Sequence, residues 1–168
     1  MFLCNMKRIV GLALVIALGA ALLAGCGSPA TQGESGNGTE PKTEAVKGEA
    51  VETEHFTMTV ATGYNKMDIS GGIQAYQGSN AIEVWVRPST QDAEKEAEKF
   101  AADYDGTGPE QLELFGLTFY TTTFTASGSY QTKYVAVSDG NRIEIGITGA
   151  DHENNKELQG MLNSINFK

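Results

Sequence analysis

The chain is 168 residues long and 40% apolar, with 21 acidic against 12 basic side chains and a net charge of −9 at pH 7. That length has room for one domain, and the acidic balance excludes nucleic acid and anionic headgroups as partners, since both are held chiefly by Lys and Arg neutralising phosphate. The only cysteines are Cys4 and Cys26, so everything after Cys26 lacks a thiol for a disulfide, a metal or nucleophilic work.

Lys7 and Arg8 precede an apolar run from Ile9 to Leu23, broken only by Gly11 and Gly19. This is the order of a secretory signal peptide. An uncleaved spanning helix needs roughly 20 apolar residues, and this run is short for that. It ends in Leu23-Ala24-Gly25-Cys26, which resembles the lipobox of bacterial lipoproteins, an apolar residue and two small ones leading up to a cysteine. A thiolate can be alkylated to a thioether, whereas a hydroxyl at neutral pH is too weak a nucleophile. The resemblance implies that residues 1–25 are a signal peptide cleaved after Gly25. Cys26 then carries diacylglycerol and acyl lipid, with no further cofactor. Two or three such chains anchor stably, so the expected location is the extracytoplasmic face of the cell membrane, with the bilayer as partner through Cys26. Removing the leader takes away Lys7 and Arg8 and no acid, which makes the mature chain more acidic still.

From Gly27 to Glu52 the chain is mainly Gly, Ser, Thr, Glu, Lys and Ala, with Pro29 and Pro41 and no aromatic residue. Such a segment buries too little apolar surface to offset its ordering entropy. Residues 26–52 therefore read as a lipidated cysteine and a disordered tether, with a reach of roughly 28 Å for a flexible coil. A short helix over Glu44 to Glu52 is the weaker alternative, because Gly48 interrupts its few apolar positions. Residues 53–168 are expected to form a single α+β domain.

Strand signals begin at Phe56, where Phe56, Met58 and Val60 alternate with threonines. A turn near Gly63 and the run Asp68-Ile69-Ser70-Gly71-Gly72 lead to a segment from Ile73 to Gln77. The next strand, Ala81 to Arg87, puts Ile82, Val84 and Val86 on one face and Glu83, Trp85 and Arg87 on the other. Pro88 ends it. Ser89 or Thr90 can cap a helix to about Tyr104, with Ala93, Ala97, Phe100, Ala101 and Tyr104 on one stripe. Four strands follow, Gln111 to Phe115, Leu117 to Thr125, Tyr130 to Ser138 and Arg142 to Thr148, and two of the connections have hairpin length. A closing helix, capped by Asp151 and running to Asn163, offers Leu158, Met161 and Leu162 to the core.

This order of elements, the Asp139-Gly140 turn between two long strands, and the ending Leu162-Asn163-Ser164-Ile165-Asn166-Phe167 resemble the PsbP-like fold, which occurs in small bacterial lipoproteins. Elements and resemblance agree on an α+β class: a mostly antiparallel sheet of six to seven strands with two helices packed on it. The resemblance implies no single activity, because that fold hosts unrelated roles.

No catalytic or metal set is visible. His55 and His152 have no second histidine at ligand spacing and are expected on the surface. Acids beside His152 suit a helix N-terminus. Ser127 and Ser129 lack the flanking glycines of a nucleophile elbow, and the glycines near Gly71 and Gly106 form no phosphate loop. The remaining candidate is a binding surface of Glu83, Trp85 and Arg87 with Tyr120 and Phe124, which share a face of a neighbouring strand. Open to solvent, these residues would form a ligand or partner surface; under a helix, they would form a second small core. The expected function is a non-enzymatic binding or interaction module of the cell envelope, its partner an envelope protein or a small ligand. The alternative is a small-ligand carrier or sensor with a pocket between sheet and helix and Trp85 as a stacking group.

Overall fold

Strand alternation and one apolar stripe per helix organise residues 45–168, the part that the computed structural model describes. The leader, Leu23, Ala24, Gly25, Cys26 and most of the expected tether lie outside the described residues. In chain order the elements are β1 (Gly48–Glu52), β2 (Phe56–Ala61), β3 (Asn65–Ile69), β4 (Gly72–Gln77), β5 (Asn80–Pro88), α1 (Ala93–Asp103), β6 (Thr107–Leu114), β7 (Leu117–Ala126), β8 (Ser129–Ser138), β9 (Asn141–Thr148), α2 (Lys156–Asn163) and β10 (Asn166–Phe167).

Seven strands form the main sheet in the order β3-β4-β5-β9-β8-β7-β6, and β1-β2-β10 form a small one. Every pairing is antiparallel. After β5, α1 carries the chain to the far edge of the main sheet, and β6 to β9 return as a meander until β9 lies against β5. Short turns make that return possible. Ser127-Gly128 and Asp139-Gly140 have positive φ at both residues, the two-residue turn whose twist matches that of paired strands.

One face of the main sheet, carrying Ile82, Val84, Phe119, Ile143, Ile145 and Ile147, packs with the small sheet and α2 into the principal core. Phe56, Met58, Leu158 and Met161 fill it from the other side and are 2% exposed or less. Helix α1 lies over the opposite face, against β6, β7 and β8. The α+β class of the sequence reading is thus the observed one. Among the described residues no helix is long and apolar enough to cross a membrane.

Several boundaries differ from expectation, each for a physical reason. The tether was extended to Glu52, yet Gly48–Glu52 is strand β1, paired with β2, and it buries Val51. A single well-placed apolar side chain and backbone pairing suffice where composition alone suggests disorder. Strand β3 escaped notice because four of its five residues are exposed, which erases alternation. Helix α1 is capped by Asp92, whose carboxylate accepts from the Lys95 N–H, not by Ser89 or Thr90. Helix α2 starts at Lys156 with Asn155 as its cap, not at Asp151.

That shift also moves His152, which is 1% exposed instead of on the surface. Turn residues 151–154 fold the imidazole inward. Its ring nitrogens lie 2.7 Å from Thr132 Oγ1 and 3.1 Å from the Gly149 carbonyl. A carbonyl only accepts, so Nδ1 donates to Gly149, and Nε2 shares a hydrogen bond with the Thr132 hydroxyl. His55, in the β1–β2 connection, is half-buried.

Candidate functional site

The alternation of β5 that sends Ile82, Val84 and Val86 into the core sends Glu83, Trp85 and Arg87 to the α1 side. Register then sets their neighbours. Trp85 lies opposite Glu144, Glu83 opposite Gly146 and Arg87 opposite Arg142 on β9. Lys133 of β8 lies opposite Gly146 and Val135 opposite Glu144. On β7, Tyr120 faces Val135 and Phe124 faces Gln131. All five residues singled out in the sequence therefore share one face of one sheet.

They do not share one surface. Phe124 is buried beneath α1, with Tyr104 stacked at 4.7 Å and Phe100 at 6.3 Å. Trp85 is only 6% exposed. The guanidinium groups of Arg87 and Arg142 lie over its ring at 4.2 and 4.8 Å, a geometry that the ring quadrupole favours. Arg87 is itself anchored by its Nε, which donates to the Ser70 carbonyl at 2.9 Å. Tyr120 is half-buried.

Between these two aromatic centres runs a chain of charges. The Lys133 ammonium donates to Glu83 and, at 3.1 Å, to Glu144. Arg142 pairs with Glu96 of α1, and its Nη2 lies 3.9 Å from Glu144 Oε2. Gly146 makes the space for this cluster, because a Cβ there would stand 2.7 Å from both Glu83 Oε1 and Lys133 Nζ. Glu144 is 3% exposed and its Oε2 accepts no hydrogen bond. Burial pushes its carboxyl pKa up, and although Lys133 and Arg142 pull it back, the net direction is upward. For Lys133, burial favours losing the proton, but the Glu144 and Glu83 carboxylates together outweigh it and raise the pKa. The ammonium is thus held in its charged form, which suits a tie and not a nucleophile or base.

The sequence reading missed Lys133, Arg142, Glu144 and Glu96 as members of this cluster. The alternation of Arg142, Glu144 and Gly146 with Ile143, Ile145 and Ile147 makes β9 apolar on one side only, and nothing in it marks Arg142 and Glu144 as covered. β9 itself carries no such signal: its cover comes from its place between β5 and β8 and from Lys133, Arg142 and Glu96 gathered around Glu144.

Cavities open elsewhere. One of about 410 Å³ lies between β1 and β3, bordered by Glu49, Val51, Lys66 and Asp68. Another, of about 660 Å³, lies between the end of β2 and α2, bordered by Val46, Ala61, Thr62, Glu157 and Gln159. A third, of about 320 Å³, is floored by Val86, Phe115, Leu117, Ile143 and Phe167. No group of three or more His, Cys, Asp or Glu side chains suited to a metal ion occurs among the described residues.

No protein-family model and no curated protein matches the chain. Among the solved structures to which the chain is similar are three. A protein of Bacteroides thetaiotaomicron VPI-5482 is 13% identical with a TM-score of 0.44, over 67% of this chain and 45% of that longer one. LpqN of Mycobacterium tuberculosis, a protein involved in cell envelope biogenesis, is 13% identical with a TM-score of 0.45, over 78% of this chain and 87% of its own. Cyanobacterial PsbP from Synechocystis sp. PCC 6803 is 10% identical with a TM-score of 0.54, and the match takes in 78% of this chain and 98% of that one. At such identity the likeness is one of fold alone, and by the last of these matches the antiparallel α+β fold of this chain is PsbP-like.

Proposed function

We propose that this protein is a lipid-anchored lipoprotein of the extracytoplasmic membrane face, and that its PsbP-like domain is a non-enzymatic binding or interaction module. The observation that carries the reading is Leu23-Ala24-Gly25-Cys26 at the end of a basic and then apolar leader. Support for a non-enzymatic role comes from the chemistry of the candidate face, where Lys133 and Glu144 are tied into ion pairs and Trp85 lies under two guanidinium groups. These groups hold the fold, and none is an activated nucleophile.

Detergent phase partitioning tests the anchor. The chain with Cys26 is expected in the detergent phase and to incorporate a palmitate label. The Cys26→Ser chain is expected in the aqueous phase, unlabelled and with an unchanged circular dichroism spectrum. Retention of the serine variant in detergent would refute the anchor.

A small-ligand carrier is the second reading, favoured by the cavity of about 660 Å³ between β2 and α2. Trp85 lies on the other face of the main sheet from α2, so it has no stacking role there. A ligand in this cavity should raise the melting temperature and leave Trp85 emission unchanged.

A further inference from the structure

Strand β3 is one edge of the main sheet, and an edge strand presents unpaired backbone N–H and C=O groups. Four of its five residues, Asn65 to Asp68, are exposed. Its charges are arranged about a centre: Lys66 and Asp68 flank Met67. If a second β3 pairs with the first antiparallel about a two-fold axis at Met67, Lys66 of each copy falls opposite Asp68 of the other, and Met67 meets Met67. Both cross-strand charge pairs are then attractive. A one-residue slip of this pairing would lose the charge match.

The other open edges lack this property. Strand β1 carries Glu49 and Glu52, and β6 carries Glu110 and Glu113 together with Pro109, which has no N–H to give. Two copies of β1 or of β6 bring only acids together, and β10, the remaining edge among the described residues, is two uncharged residues long. A second observation points to the same edge. Met67 is 47% exposed and Tyr76 40%, two of the few large apolar side chains left in solvent, and register places both on the same face of adjacent strands. That face is covered by α1 over β6 to β8 but not over β3 and β4. Pairing at the edge would join the two Met67 and Tyr76 sets across the axis.

We infer that β3 is a self-association edge, and that its partner is the β3 of a second copy of this chain, paired antiparallel about Met67. The inference rests on the interaction-module reading and names its partner. Copies anchored in one membrane plane raise each other's effective concentration, so a short edge pairing suffices there although it buries less than a standard interface.

Cysteine cross-linking of the full-length chain in its own membranes tests the inference. Across the axis the Cα atoms at position 67 would stand about 4.5–5.5 Å apart, within the range of about 4.4–6.8 Å that a disulfide spans. Met67→Cys, oxidised with copper phenanthroline, is expected to give a reducible homodimer. The parent chain and Ser79→Cys, an exposed position off the edge, are expected to give none. Adding Lys66→Asp or Asp68→Lys to Met67→Cys makes both cross-strand pairs repulsive, and the yield should fall roughly tenfold. Co-expressing the two charge variants restores two attractive pairs and should restore the cross-link as a heterodimer. Equal yields from all variants, or from Ser79→Cys, would mean random collision and overturn the inference. An adduct with a different protein would overturn self-pairing while supporting an interaction module, and no adduct at all would overturn self-pairing while leaving the anchor to be decided by detergent partitioning.

Discussion

Lys133 shows how much one residue can carry. Its ammonium is the shared counter-charge of Glu83 and Glu144, and Glu144 has no other hydrogen-bond donor. Removing one partner of a buried ion pair leaves an uncompensated charge, which costs about 3–5 kcal/mol, whereas replacing the whole pair by apolar groups is often nearly neutral. Lys133→Met is therefore expected to lower unfolding stability at pH 7 by about 3–5 kcal/mol. Lys133→Met with Glu144→Leu should recover most of it, because Glu83 is exposed enough to turn to water. Urea titrations check both. The sign with pH follows from the raised values. Glu144 holds its proton more tightly in the folded state, so burying it costs nothing in acid and more as pH rises past the usual carboxyl range. The Lys133→Met penalty should shrink as pH falls. At the alkaline end the raised pKa of Lys133 means that its contribution is complete below the ordinary lysine value of 10.5 and is lost as pH rises through the folded value. Burial raises Tyr134 and Tyr64 above 10.0 and acts with the same sign. Stability should fall above about pH 10, less steeply in Lys133→Met. A parallel decline in both chains would refute the assignment to Lys133.

At the scale of elements, α1 is the piece most dependent on a few contacts. It buries Ala97 fully, stacks Phe100 and Tyr104 on Phe124, and ties Glu96 to Arg142. Phe124→Ala removes the aromatic floor under the helix. The expected loss is about 3–5 kcal/mol, with amide exchange in residues 93–103 accelerated more than in β5 or β9, because local opening precedes global unfolding where packing is thinnest. Uniform acceleration across the sheet would contradict separate docking of α1. The existence of this helix was legible from its apolar stripe, but its start was not. Ser89, Thr90 and Asp92 are all good caps, and tertiary contact chooses among them. The Ser89 N–H donates to the Gly140 carbonyl at 3.0 Å, which keeps the chain extended after β5 and leaves the cap to Asp92. A hairpin fifty residues away decides where the helix begins, and a local reading has no access to that.

For the molecule as a whole, the sequence conveys its layers better than its limits. Alternation along β5, β7, β8 and β9 and the apolar stripes of both helices were enough to reach an antiparallel sheet with two helices. The candidate face was only half legible, since period two puts Trp85 and Phe124 on the side away from the core but cannot say that α1 covers one and two arginines cover the other. The N-terminal limit was drawn at Thr53 because composition averages over a segment, whereas folding rewards single contacts. Val51 is buried, β1 pairs with β2 from Gly48 opposite Ala61 to Glu52 opposite Thr57, and Gly160 leaves room for Val46 to pack on α2. A chain shortened to begin at Thr53 loses those contacts and bares the edge of β2. Burial of Val51 alone is worth about 1.5–3 kcal/mol, and an uncovered strand edge invites aggregation. The shortened chain should therefore be at least about 2 kcal/mol less stable in urea than one beginning at Ala45, and it should elute partly as aggregate in size-exclusion chromatography. Equal midpoints and equal elution would place the boundary back at Thr53 and make β1 part of the tether after all.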